Sequence, residues 1–274
     1  MKISRRRFLA GLGAAGAAIG ADAFGLEPNR VVLSRHDVPV PGLPPALDGL
    51  RIAQISDVHL PGNRLAAGAA VEHVRSIKPE IVIHNGDITE TAEAMEQVKE
   101  FALNARGSLS TVAVLGNWEY RGGVAGAEAR VALRASGVDL LVNQCKVLEM
   151  GSTALALVGL DDVLMGFPDL PTARRDVPAG AIEIWLVHEP VFAERVPAPA
   201  VPRPVMLLAG HTHGGQIRIP FMGPVKPVGA GRFVEGWYRD TFAPLYVSRG
   251  VGTTEIPARF RCPAELPIFT LRKT

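Results

Sequence analysis

Six short apolar runs alternate with stretches of helical length along this chain, and five of the six lead straight into residues that ligate metals. The runs are Ile52–Ile55, Ile81–Ile83, Thr111–Leu115, Ala154–Val158, Ile182–Val187 and Val205–Leu208. With candidate helices at 65–77, 91–106 and 125–136, they have the pattern of an α/β domain with buried strands. The five ends read Ser56-Asp57-Val58-His59, Asn85-Gly86-Asp87, Gly116-Asn117-Trp118-Glu119, His188-Glu189 and Gly210-His211-Thr212-His213-Gly214. In open α/β sheets, sites form where loops gather at the carboxyl ends of strands, so five such ends are expected to meet.

Composition narrows the alternatives. The 274 residues carry 29 Lys plus Arg against 27 Asp plus Glu, but four cations (Lys2, Arg5, Arg6, Arg7) lie in the first seven positions. Without a leader ending at Ala23, 25 cations face 26 anions. No dense basic run follows Arg7, so binding of specific nucleic acid through phosphate contacts is not expected. A 47% hydrophobic content supports a folded core. Cys145 and Cys262 are too few for a disulfide scaffold or zinc knuckle; they either pair in an oxidising compartment or remain two thiols.

Residues 1–23 read as an export signal, with a charged start, an Ala/Gly-rich apolar stretch from Phe8 to Ala21, and the small-residue pattern Ala21-Asp22-Ala23 for cleavage. Ser4-Arg5-Arg6-Arg7-Phe8-Leu9 resembles the twin-arginine signal, which implies passage of a folded protein through the twin-arginine machinery to the periplasmic side. The 14-residue apolar stretch is short for a bilayer span, and a retained leader acting as an anchor is the alternative. Residues 24–49 are expected to be an extension with a Pro-rich link, and 50–274 the main domain.

Taken together, Asp57-x-His59, Gly86-Asp87, Gly116-Asn117, His188 and Gly210-His211-x-His213 resemble the calcineurin-like metallophosphoesterase superfamily. The longer strings ISDVHL, HNGDI, LGNWEY, LVHEP and AGHTHGGQIRIPF are similar to its YkuE/YaeI-type subgroup of exported phosphodiesterases. The resemblance implies a four-layer αββα sandwich of two mixed sheets flanked by helices, and two divalent metal ions. Imidazole, carboxylate and amide donors suit Mn, Fe or Zn. By the superfamily's arrangement Asp57, His59, Asp87 and His213 would hold one ion, with Asp87 bridging to a second held by Asn117, His188 and His211. Asp87, Asn117 and His211 would act closest to the reacting phosphoester. Alternation along an extended His211-Thr212-His213 is expected to point both rings the same way.

One position departs from the superfamily. The Asn of the third motif is usually followed by a His that assists leaving-group departure, and here Trp118 stands there. Indole donates a hydrogen bond but does not titrate, so Trp118 cannot be a general acid. Three readings follow: a substrate whose leaving group needs little protonation, another group in the His role, or a site that binds metal with little catalysis. His84, Glu119, Arg121 and Arg249 are the candidate substitutes. Against these roles, His84 reads as core, Glu119 and Arg121 as solvated loop, and Arg249 as a turn pin. His36 and His73 read as surface residues.

Substrate recognition is expected in the Gly/Pro/aromatic-rich segment Phe221–Asp240, through Lys226, Arg232, Phe233, Trp237 and Tyr238, with Asp161–Asp176 as a second rim. The function expected is a metal-dependent phosphodiesterase or pyrophosphatase acting on an envelope- or nucleotide-derived phosphoester. The alternatives are a role like UDP-2,3-diacylglucosamine hydrolysis in lipid A synthesis, and a metal-bearing binding protein associated with the membrane or cell wall.

Overall fold

The structure is a computed structural model that describes residues 4–124, 126–196 and 203–274. Residues 1–3 of the expected leader and Ala125, the expected start of a helix, lie outside the described residues.

In chain order the elements are α1 (Arg5–Ala21), β1 (Val32–Val40), β2 (Arg51–Ile55), α2 (Arg64–Ile77), β3 (Ile81–Asn85), α3 (Met95–Asn104), β4 (Ser110–Val114), α4 (Asn117–Arg121) and α5 (Ala127–Ala135). There follow β5 (Asp139–Leu140), β6 (Gln144–Met150), β7 (Thr153–Gly159), α6 (Leu170–Ala173), β8 (Ile182–Leu186), α7 (Phe192–Arg195), β9 (Met206–Ala209), β10 (Gly236–Tyr238), β11 (Leu245–Val247) and β12 (Glu265–Lys273). They form two six-stranded mixed sheets, ordered β1-β12-β2-β3-β4-β5 and β10-β11-β9-β8-β7-β6.

Side-chain alternation assigns the layers. Ile52, Ile81, Ile83, Val112 and Val114 of the first sheet pack against Leu155, Leu157, Ile184, Leu186 and Leu208 of the second. Their neighbours Ala53, Ile55, Val82 and Ala113 point the other way, under Ala66, Ala70 and Val74 of α2, Val98 and Phe101 of α3, and Leu133 of α5. The outer face of the second sheet, with Val158, Trp185, Val187 and Ala209, is covered by Phe192 and Phe233, so short α6 and α7 and a loop form this fourth layer. Each aliphatic side chain fully buried in this way contributes roughly 1.5–3 kcal/mol.

All six expected strands are present, displaced by a residue or two at most of their ends. The 91–106 helix is split into a turn at Ala92–Ala94 and α3. Residues 24–49, expected to be an extension and link, instead supply β1, which runs parallel to β12 from Val32↔Glu265 to Val40↔Lys273. Its polar residues and Pro39 mask it in the sequence, and a strand at the sheet edge tolerates both. The long loop at 220–240 ends in the three-residue β10, antiparallel to β11.

Candidate metal centre

The sheet order brings the five expected strand ends to one place. β2, β3 and β4 are mutually parallel neighbours, as are β8 and β9, so their carboxyl ends open toward the same cavity. The loops leaving them turn abruptly. Asp57, His59, Asp87, His211 and His213 all have φ between 49 and 71°. Non-glycine residues there cost on the order of 1–2 kcal/mol each and need support from their surroundings. Asp57 N donates to Gly86 O at 3.1 Å and His59 N to Asp87 O at 3.0 Å, so the first two loops brace each other.

Two buried triads result: the ligand atoms of Asp57, His59 and His213 lie within 4.8 Å of one another, as do those of Asp87, His188 and His211. His59 Nε2 and His213 Nε2 are 3.0 Å apart. Asp87 Oδ2 is 3.0 Å from His188 Nε2 and 3.8 Å from His59 Nε2, so it faces both groups. Asp57 Oδ1 is 3.5 Å from His213 Nε2 and 3.9 Å from His188 Nε2. The other ring nitrogens of three histidines are held from behind. His59 Nδ1 lies 3.0 Å from Glu90 Oε1, His188 Nδ1 2.9 Å from Asn85 O, and His211 Nε2 2.7 Å from Val228 O. Such outer partners fix ring orientation and tautomer for a metal.

The donor set fits divalent ions. His213 Nδ1 and Asn117 Oδ1 are buried with no hydrogen-bond partner, and buried polar atoms seldom remain so unless something binds them. Imidazole, carboxylate and amide donors without thiolate match first-row metals. Burial raises the Asp57 carboxyl above its ordinary value. Burial pulls Asp87 the same way, but the charge and hydrogen bond of His188, with His59 and the Trp118 N–H, hold it low. Burial and the neighbouring His188 push His211 down to about 4, and burial with His59 lowers His213, which leaves these two rings unprotonated near neutral pH.

His211-Thr212-His213 is not extended. Thr212 is helical, with φ −82° and ψ −17°, between two left-handed residues, and a single turn of 3-10 helix follows at His213–Gly215. The rings therefore diverge, His211 meeting His188 at 5.1 Å and His213 meeting His59 at 4.9 Å between centroids. The expected alternation fails because a tight turn replaces the strand. Two glycines permit the close approach: a Cβ at Gly210 would lie 1.8 Å from Ser56 Oγ, and one at Gly86, where φ is +83°, 2.4 Å from His188 Nδ1.

Glu119 is neither at the cavity mouth nor in solvent. It is buried, and its carboxylate accepts from Asp87 N (2.9 Å), Ile88 N (2.6 Å), Thr89 N (3.0 Å) and Gly116 N (2.8 Å), tying the Asp87 loop to the Asn117 loop. Burial and the Asp87 charge push its carboxyl up to about 7. This role and that of Glu90 were not read from the sequence, because each acid hydrogen-bonds partners on a loop that only the fold brings near. Trp118 N donates to Asp87 Oδ1 at 2.8 Å, and its ring meets His59 edge-on at 5.9 Å. Arg121 is exposed, with its guanidinium 5.1 Å from the Trp118 ring centre.

A cavity of about 440 Å³ opens over the triads, lined by Asp87, Asn117, Trp118, Arg121, His211 and His213 on its polar side. Its remaining walls include Leu164, Ile217, Val225, Val228 and Ile256. The recognition residues expected from the sequence are used elsewhere. Lys226 Nζ donates to Gly231 O, Arg232 pairs with Asp240 and stacks on Phe233, Phe233 is core, and Tyr238 accepts from Val234 N. From the second rim, only Leu164 lines the cavity. Arg249 pins a turn between Glu235 and Glu265.

His84 is core, its Nε2–H donating to Ala105 O (3.2 Å), and burial lowers it to about 4. His36 and His73 are half-buried rather than surface residues: His36 sits among Trp237, Tyr246 and Phe269, and His73 Nε2 lies 3.1 Å from Val31 O. Cys145 and Cys262 are unpaired thiols, not a disulfide.

Known proteins match this arrangement. Residues 50–220 match the Calcineurin-like phosphoesterase superfamily domain. The uncharacterized metallophosphoesterase YkuE of Bacillus subtilis is 30% identical over 288 aligned positions, covering 100% of this chain and 99% of YkuE. Phosphodiesterase YaeI of Escherichia coli is 31% identical over 140 positions, covering 51% of this chain and 49% of YaeI. Among solved structures, the phosphopantetheinyl hydrolase PptH of Mycobacterium tuberculosis is similar with a TM-score of 0.44 and 12% identity, covering 79% of this chain and 97% of PptH. The chain thus belongs to the calcineurin-like phosphoesterase superfamily, as a metallophosphoesterase of the YkuE/YaeI type.

Proposed function

We propose that this chain is a dinuclear metal-dependent phosphodiesterase or pyrophosphatase that is exported by the twin-arginine route and acts on the periplasmic side. The observation that carries this reading is the pair of buried triads side by side beneath one cavity. Asp57, His59 and His213 would hold one ion, His188, His211 and Asn117 the other, and Asp87, facing both groups, would bridge. When bound, two such ions supply an activated water and charge stabilisation for in-line phosphoryl displacement.

The chain's own groups decide which esters suit the site. Arg121 lines the cavity and stacks on Trp118, so a phosphoryl oxygen there meets a fixed cation that orients it and balances its charge. The Trp118 indole, standing beside it, has no titratable proton to give a leaving group. Substrates with good leaving groups, a pyrophosphate or an aryl-like diester, are therefore favoured. The apolar walls at Ile217, Val225, Val228 and Ile256 favour an apolar substituent on one side of the phosphorus, as in UDP-2,3-diacylglucosamine. The purified, Mn²⁺-loaded chain is expected to hydrolyse a bis-aryl phosphodiester. Turnover no greater than that of an Asp87→Ala control would instead favour a metal-bearing binding protein, the reading to which Trp118 points.

A further inference from the structure

The cavity mouth carries a run of outward apolar side chains, of which only Val225, Val228 and Ile256 also line the site. Ile219, Phe221, Met222, Val225 and Val228 are exposed within ten residues, and Ile256 adjoins them on the cavity lining. An exposed apolar cluster of this kind marks an interaction surface. Its position relative to the amino terminus identifies the occupant.

Helical turns continue past α1 through Leu26 and Asn29, 25 residues that contain an 18-residue stretch with a mean hydropathy of 1.4. At 1.5 Å per residue the 17 residues of α1 run about 25 Å, most of the way across a bilayer core of about 30 Å, with Arg5, Arg6 and Arg7 placed to reach the far headgroups. The far end is built into the domain. Ala23 O accepts from Arg259 N at 2.9 Å, and the buried Glu27 carboxylate accepts from Arg261 N at 2.9 Å and from Cys262 N. The expected cleavage point is thus helical rather than extended, with Ala23 itself buried and hydrogen-bonded between the exposed Asp22 and Phe24. On the outer side of the same turns, Phe24 and Leu26 are exposed.

Segment 254–262 joins the two regions. Thr254 and Ile256 line the cavity, Phe260 bridges Ile217 of the cavity wall, and Arg259 holds Ala23. Two hydrogen-bonded steps and one chain step place Ala23 within about 15 Å of Ile217. Arg30, Lys226 and Arg261 are exposed on these segments against the exposed Asp22 and Glu255, a small cationic excess that suits anionic headgroups.

We infer that the leader is retained as a membrane anchor and that the apolar rim at 219–228 with Ile256, together with Phe24 and Leu26, rests on the lipid bilayer, so that the cavity mouth opens at the lipid surface. This rests on the reading of export given above, but not on the catalytic one.

The test uses the full chain in vesicles of phosphatidylcholine and phosphatidylglycerol, a fraction of them brominated, with a fluorophore at one of three introduced cysteines. Met222→Cys and Leu12→Cys probe the rim and the helix; Ser152→Cys probes the turn between β6 and β7, at the edge of the second sheet away from the site. Bromolipid is expected to quench the labels at 222 and 12 by at least half, and the label at 152 by less than a tenth. Adding Phe221→Asp is expected to abolish quenching at 222 but not at 12. Quenching at 12 alone, at none of the three, or equally at 152 overturns the inference, as does a chain recovered from the envelope with residue 24 as its amino terminus. Hydrolysis of a soluble bis-aryl diester by the same preparations is read separately: its absence counts against the proposed chemistry, not against docking.

Discussion

His59 and His213, 154 residues apart in sequence, face each other through their Nε2 atoms at 3.0 Å, with Asp57 Oδ1 3.5 Å from the second ring. Two lone pairs converging in a buried site repel unless a proton or a cation lies between them, and burial lowers the affinity of His213 for a proton. A divalent ion is therefore expected to hold this pair together. His213→Ala should lower bound metal from two equivalents to about one, measured by elemental analysis. Diester turnover should fall by more than the roughly 10- to 100-fold that follows loss of an outer-sphere partner. Chelation of the wild-type chain should lower its unfolding temperature by roughly 5 °C or more, since ligand at 100 times its dissociation constant contributes about 2.7 kcal/mol.

Glu119 organises the site from beneath. Its carboxylate serves four backbone N–H groups on two ligand-bearing loops. Glu119→Gln keeps the shape but leaves one carbonyl for these donors and turns an NH₂ toward them. We expect a loss of roughly 2–4 kcal/mol in urea unfolding and weaker metal retention on dialysis. An unchanged unfolding midpoint would show that the carboxylate is dispensable.

The Trp118–Arg121 pair separates charge stabilisation from proton transfer. Arg121→Ala is expected to lower kcat/KM on a bis-aryl diester by about 10- to 100-fold, with Arg121→Lys retaining part of the activity. Trp118→His restores a titratable group and should raise turnover by about 10-fold or more on alkyl esters, and much less on p-nitrophenyl esters. Equal effects on both leaving groups would remove the missing-acid argument.

His84 makes the fold acid-sensitive apart from the metal. Its folded value of about 4 lies below the ordinary 6.5, so the folded state binds fewer protons than the unfolded chain between these values. Stability is therefore lost as pH falls through that window, by roughly 2 kcal/mol between neutrality and pH 5 from this residue alone. His84→Leu should lose less stability over that interval than the wild type, as read from urea midpoints at both pH values.

The buried strands were legible because each is a run of apolar residues needing no particular partner; β2, β3, β4, β7, β8 and β9 fall where hydropathy places them. β1 and β12 were not, since their polar residues and prolines make sense only once they pair at and near a sheet edge. In the segment 221–240 composition misled. Lys226, Arg232, Phe233 and Tyr238 pack within their own loop, Trp237 packs on His36, Tyr246 and Phe269, and the small apolar Val225 and Val228 face the cavity.

The sequence alone determined the chemistry of the donors. Asp57, His59, Asp87, Asn117, His188, His211 and His213 stand at strand ends, and residue type limits what such a set can bind. Tertiary structure alone decided their grouping: which nitrogens converge, that Glu119 turns inward while Arg121 stays at the mouth, and that Ala23 and Glu27 are fastened to the 259–262 loop. The physical reason is reach. A side chain's donor type is a property of one residue, whereas a hydrogen bond or shared ion requires atoms about 3 Å apart, and here the partners are separated by up to 235 residues of chain.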